Sequence, residues 1–236
     1  MIAVTFDYGQ TLFELDTGML ARRVAERGAN VEQRALDAEE PKAWEAYNAA
    51  KRSGEAGFEA WGAFMRTLLE RAGVHTETRR GPEVARELVE WLWSEQPGKN
   101  LWRRPIAGME DLVRDLAARG VPLGIVSNSE GRLAELLEEM GFAGYFGIVG
   151  DSGKLGFEKP DRRIFDYVAD GLGMRAADLV HVGDAWAADV EGALAAGARA
   201  IWITDRPDTD ALPAGVLAAR TAKDVREALR AFGVPV

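Results

Sequence analysis

From Pro105 onward the chain alternates short apolar runs with longer amphipathic segments, and that alternation permits few folds. Residues 123–126, 146–149, 179–182 and 200–203 read as strands, and residues 2–6 form a further apolar run at the start. Between and after them, residues 109–119, 132–140, 161–172, 185–196 and 222–232 carry apolar side chains at spacings of three and four, as helices do. Strands separated by helices must pair in parallel, because a helix supplies the crossover that returns the chain to the same end of the sheet. Residues at the C-terminal ends of such strands converge on one edge, where ligands bind.

Residues 17–97 differ in character. Met19, Leu20 and Val24, then Trp44 and Tyr47, then Trp61, Phe64, Leu68 and Leu69, then Val84, Leu88, Trp91 and Leu92 recur at helical spacing with no convincing strand. Gly73, Gly81-Pro82 and Pro97-Gly98 punctuate them. The expected fold is therefore α/β: a Rossmann-like parallel-sheet core of residues 1–16 and 98–236, with an all-helical cap of residues 17–97 inserted after the first strand. Residues 205–216, with two prolines, read as a polar loop. With 236 residues, 47% of them apolar and 28% charged, the chain is long enough to bury such a core.

The strand ends carry the chemistry. The first apolar run ends in Asp7, the second in Ser127-Asn128, and the segment after the third contains Lys159-Pro160. The fourth ends in Gly183-Asp184, with Asp189 five residues further on. Carboxylates at two such joins would present oxygen ligands to a hard cation such as Mg²⁺. There is no cysteine and only two histidines, His75 and His181, so thiolate catalysis and zinc-thiolate or histidine-rich metal sites are excluded. A net charge of -9 argues against nucleic-acid or anionic-membrane partners, though not against a small anionic ligand. The N-terminus lacks a basic and apolar leader, and no apolar run approaches a membrane span, so a cytoplasmic location is expected.

Singly, each residue has an ordinary reading: helix-capping aspartates, a solvated lysine, a serine-asparagine turn. Together, in this order on this topology, they resemble the haloacid dehalogenase-like hydrolase superfamily, most of whose members are Mg²⁺-dependent phosphatases. The resemblance runs from residue 7 to residue 189. It implies that Asp7 is the nucleophile that becomes an aspartyl-phosphate. Ser127, assisted by the Asn128 backbone, would bind a phosphoryl oxygen, and Lys159 would neutralise charge on the phosphoryl group. Asp7, the main-chain carbonyl of Gly9 and Asp184 would hold Mg²⁺, and Asp189 would orient Lys159 or a metal-bound water. The implied substrate is a small phosphorylated metabolite, with monomer and homodimer both left open.

Gly9 departs from the pattern. Phosphatases of this superfamily most often carry there a second aspartate that protonates the leaving group and then activates water, a contribution of roughly 10²–10⁴-fold. Its loss leaves a non-catalytic Mg²⁺- or phosphate-binding module of the same fold as the main rival reading. A 2-haloacid dehalogenase is a lesser one: that branch places a tyrosine two residues after the nucleophile, whereas Tyr8 comes one residue too early, and it lacks the metal-binding Gly-Asp. A phosphonatase would need a cap lysine, and Lys42 and Lys51 read instead as solvated helix-face residues. The cap tryptophans and Trp186 read as packing residues, His181 as a satisfied buried histidine, and Lys154 as a candidate second cation.

Overall fold

The computed structural model describes residues 1–55, 57–205 and 212–236. The chain divides into two compact units, one of Met1–Leu15 with Trp102–Val236 and one of Asp16–Leu101.

The first unit is built on a six-stranded sheet in the order β5-β4-β1-β6-β7-β8, every pairing parallel. Its strands are β1 (Ala3–Phe6), β4 (Leu123–Ser127), β5 (Ile148–Asp151), β6 (Leu179–Gly183), β7 (Arg199–Ile203) and β8 (Val216–Ala219). A separate antiparallel pair joins β2 (Phe13–Leu15) to β3 (Trp102–Pro105). The crossovers use α5 (Met109–Ala118), α6 (Leu133–Glu139), the one-turn α7 (Ser152–Leu155), α8 (Arg162–Gly171) and α9 (Gly192–Ala196), and α10 (Ala222–Ala231) follows the last strand.

The central strands are buried on both faces, which explains their uninterrupted apolar sequence. Ile164, Phe165, Val168 and Ala169 of α8 and Ala193 and Ala196 of α9 pack in one cluster with Val126, Leu179 and Ala200 from the sheet. Burial of a side chain such as Phe165, fully enclosed here, contributes about 1.5–3 kcal/mol. From β1 the chain builds outward on one side through β4 and β5, then crosses back to β6, β7 and β8. The C-terminal ends of β4, β1 and β6 therefore flank the point where the winding reverses, where open α/β sheets form their ligand crevice.

The second unit holds α1 (Thr17–Ala25), α2 (Gln33–Arg52), α3 (Phe58–Arg71) and α4 (Pro82–Glu95). Asp16 starts α1 by accepting the Met19 N–H at 2.7 Å. Leu36 and Ala43 of α2, Phe64, Met65 and Leu68 of α3, and Val84, Ala85 and Val89 of α4 are buried. Trp44 lies 4.4 Å from Phe64 and Trp61 lies 5.2 Å from Trp93, ring centre to ring centre, so these tryptophans pack within the unit. Arg23 is buried with its guanidinium 4.4 Å from the centre of the Trp91 ring, paired with Glu26 and Glu95. Among the described residues, no helix is long and apolar enough to cross a membrane.

The structure departs from the sequence reading in four places. Strands β2, β3 and β8 lie in segments read without strands; β2 and β3 are three and four residues long, too short for periodicity to register. β5 begins two residues later than expected because its register runs from Gly124↔Ile148 to Ser127↔Asp151. The single helix expected over 185–196 instead opens with a wide π turn, Trp186–Glu191, and only then becomes α9. Of the loop expected over 205–216, residues 206–211 lie outside the described residues, and Val216 already belongs to β8.

Candidate active site

Asp7 follows directly on β1, and its backbone N–H donates to the Val182 carbonyl of β6 at 2.9 Å. Ser127 closes β4 and Gly183 closes β6, so neighbouring strands deliver Asp7, Ser127 and Asp184 to one edge. Lys159 lies outside the sheet, just before α8. Its backbone is clamped by Asn128, whose side-chain oxygen accepts the Lys159 N–H at 2.8 Å while the amide donates to the Lys159 carbonyl at 3.1 Å. Asn128 thus serves through its side chain, a use its position in a turn did not reveal.

The Lys159 ammonium sits 2.9 Å from Asp7 Oδ1 and 2.6 Å from Asp189 Oδ1. Asp189 has two further partners: its Oδ1 also meets His181 Nε2 at 3.1 Å, and its Oδ2 accepts the Ala185 N–H at 2.8 Å. The π turn and Gly183 together bring this carboxylate under the end of β6. A β-carbon at Gly183 would stand 2.3 Å from Asp189 Cγ, so only glycine admits the approach. Asp7 is 14% exposed and Asp184 is partly exposed, whereas Lys159 and Asp189 are sealed behind them at 2% or less.

One ligand oxygen from each of Asp7, Asp184 and Asp189 falls within 4.8 Å of the others. Three carboxylates against one ammonium leave two negative charges unbalanced when all are ionised. Burial, then the charges of Asp189 and Asp7, push the Asp184 carboxyl well above its ordinary range. Burial and the Asp189 charge raise Asp7 as well, against the pull of Lys159 and a hydrogen bond from Ser127. For Asp189, burial is outweighed by Lys159 and His181, which hold it low; for Lys159, burial is outweighed by Asp189 and Asp7, which hold it high. Burial also keeps His181 below its ordinary value, so it carries no compensating charge at neutral pH. A hard divalent cation fits this all-oxygen, over-negative set.

One residue does more than its sequence position suggests. Asp151 is buried and accepts four hydrogen bonds, from the Ser129 hydroxyl and the N–H groups of Gly131, Leu133 and Gly153, at 2.7–3.0 Å. It organises the loop that leaves Ser127. His181 is the satisfied buried histidine expected, and its partners are Thr5 and Asp189, the latter a contact set by strand register and the π turn that no local sequence signal reports. Lys154 is not a second cation of the site: it is exposed and pairs with Glu135 at 3.4 Å. Tyr8 is buried, stacks on Phe13 and donates to the Trp102 carbonyl at 3.0 Å, as a packing residue.

Comparison with known proteins agrees with this layout. The family model of the haloacid dehalogenase-like hydrolases matches residues 2–197. Haloacid dehalogenase-like hydrolase domain-containing protein 3 of Bos taurus is 28% identical over 202 residues, covering 82% of this chain and 78% of that protein. The phosphoserine phosphatase of Thermus thermophilus is 33% identical over 145 residues, covering 61% of this chain and 56% of the phosphatase, little more than half its length. In fold, the chain is similar to the magnesium-bound HAD-hydrolase YfnB of Bacillus subtilis, with a TM-score of 0.70, 20% identity, and 97% and 98% of the two chains covered. With five-sixths of its length inside the family's pattern and the acid-lysine-acid cluster assembled at the reversal of its sheet, the chain belongs to the haloacid dehalogenase-like hydrolase family.

Proposed function

We propose that the chain is a Mg²⁺-dependent phosphatase that hydrolyses a small phosphorylated metabolite through an aspartyl-phosphate on Asp7. The observation that carries this reading is the buried Lys159 ammonium, held between Asp189 and the partly open carboxylate of Asp7, with Asp184 alongside. The phosphoserine phosphatase among its relatives and the magnesium bound by its structural neighbour support the same choice.

Asp7 and Asp184, the two acids open to a ligand, would hold Mg²⁺ with the Gly9 carbonyl. That carbonyl takes no part in the hydrogen bonds that close the turn after Asp7, which use the carbonyls of Tyr8 and Phe13. Bound there, Mg²⁺ would screen the carboxylates from the phosphoryl oxygens. Asp189, buried and already engaged by three donors, supports Lys159 rather than the metal. Asp7 attacks phosphorus, the ester P–O bond breaks, and the departing alkoxide takes a proton from water. Water then attacks the phosphorus of the aspartyl-phosphate, releasing inorganic phosphate and restoring Asp7. Ser127 donates to a phosphoryl oxygen beside the Asn128 backbone, and Lys159 offsets the charge that builds there.

Gly9 offers no acid, so the reaction favours leaving groups stable without early protonation, such as the carboxylate expelled from an acyl phosphate. A panel of phosphate esters and acyl phosphates, assayed with Mg²⁺, with chelator and with Asp7→Asn, tests the proposal. Turnover that needs both Mg²⁺ and Asp7 is expected. A panel on which the protein never exceeds its Asp7→Asn variant would instead favour a phosphate-binding module.

A further inference from the structure

Behind the site lies a second row of buried polar groups that phosphoryl transfer does not itself require. Thr5 and His181 face each other across the β1–β6 pairing, both fully buried. Thr5 Oγ1 lies 3.0 Å from His181 Nδ1, and His181 Nε2 lies 3.1 Å from Asp189 Oδ1. Phe165 meets the imidazole edge to face at 5.1 Å, fixing the ring plane. A carboxylate can only accept, so the ring nitrogen facing Asp189 must carry a proton. The other nitrogen of a neutral ring is then bare, and the Thr5 hydroxyl must donate to it.

We propose that His181, locked by Thr5 as the Nε2–H tautomer, is a positioning residue that holds Asp189 against Lys159 and so aims the ammonium at Asp7. Asp189 Oδ1 is shared between His181 and Lys159. Without the histidine that oxygen keeps one donor, and the carboxylate can turn about its remaining bond to the Ala185 N–H. Lys159 would follow it, because its ammonium sits closer to Asp189 than to Asp7. Partners of this kind, one step behind the reacting groups, typically carry about 10–100-fold in activity. A histidine that only filled the core would affect stability and leave turnover per folded molecule alone.

The proposal rests on the phosphatase reading for its kinetic consequence, but the tautomer can be read without turnover. His75 and His181 are the only histidines, so ¹⁵N-detected imidazole spectra of the whole protein resolve both. At neutral pH His181 is expected to show one protonated nitrogen, Nε2, and one bare nitrogen, Nδ1. An imidazolium or an Nδ1–H signature overturns the lock whether or not the protein is a phosphatase. In kinetics, His181→Leu is expected to lower kcat by about 10–100-fold with KM changed far less. His181→Gln, which retains an amide donor toward Asp189, should recover most of that loss. Should His181→Leu fail to fold, Thr5→Val and Thr5→Ser give the same contrast more mildly, with serine retaining turnover and valine losing part of it. Unchanged kcat in His181→Leu, or in Thr5→Val where His181→Leu does not fold, beside lowered thermal stability, overturns the proposal and leaves His181 a core residue. Absence of turnover in the parent protein overturns the phosphatase reading alone.

Discussion

Gly183 and Asp189 approach so closely that a β-carbon on the glycine would stand 2.3 Å from the carboxylate carbon of the aspartate. The neighbour is no flexible tip: Asp189 is pinned by Lys159, His181 and the Ala185 N–H, so the added methyl must displace the whole network. Gly183→Ala is expected to lower kcat by about 10–100-fold while the protein still folds, with circular dichroism and steady-state kinetics as the paired measurements. A Gly183→Ala enzyme with parental kcat would show that the position of Asp189 does not matter to turnover.

Gly9 is a different kind of glycine. Its backbone is not left-handed, and a β-carbon there would meet Trp102 Cδ1 at 3.4 Å, an ordinary contact. Nothing in the fold demands its lack of a side chain. Gly9→Asp should therefore be tolerated and raise turnover of alkyl phosphates, by up to about 10²-fold, while aryl or acyl phosphates gain little. An equal change for good and poor leaving groups would contradict an acid-base deficit at this position.

Asp151 holds four donors around one buried carboxylate. Asp151→Ala leaves the buried Leu133 N–H, the half-buried Gly131 N–H and the Ser129 hydroxyl without their acceptor, a loss of roughly 3–5 kcal/mol. Denaturant unfolding should register it, and amide exchange should quicken first in the loop from Ser129 to Leu133. If stability fell while that loop kept its protection, the carboxylate would not be what orders it.

Asp184 ties stability to metal and pH. Its folded carboxyl is raised by burial and by two neighbouring carboxylates, so ionising it costs the fold free energy. The metal-free protein should accordingly lose stability as pH rises from the ordinary carboxylate value of 3.8 through the higher folded one, and Mg²⁺ should restore it at neutral pH. Asp184→Asn should melt higher than the metal-free parent at neutral pH, by about 2–4 °C for each kcal/mol of repulsion removed, and should no longer respond to Mg²⁺. Thermal melts across pH, with Mg²⁺ and with chelator, decide the matter. An Asp184→Asn protein that still gained stability from Mg²⁺ would place the cation elsewhere.

The order of elements from Pro105 onward was legible because buried parallel strands are uninterrupted apolar runs and each helix shows its own periodicity. The short pair β2 and β3 has no such signature, since three or four residues cannot display alternation and Pro105 at the end of β3 argues against a strand. Asp7 and Asp184 were legible from their places at strand ends, and Lys159 and Asp189 from the order in which they follow later strands; the four converge in space. How they are held was not. The Asn128 clamp, the Asp151 loop and the His181 contact depend on which strands are neighbours and in what register, and a π turn has no composition of its own.

The central claim is that Asp7 carries the phosphoryl group. Incubating the protein with an acyl phosphate and Mg²⁺, quenching in acid and weighing its peptides tests this most directly. One added phosphoryl group is expected on the peptide containing Asp7, absent without Mg²⁺ and absent in Asp7→Asn. Phosphate released at the parental rate by Asp7→Asn, or a phosphoryl group found on another side chain during turnover, would contradict it.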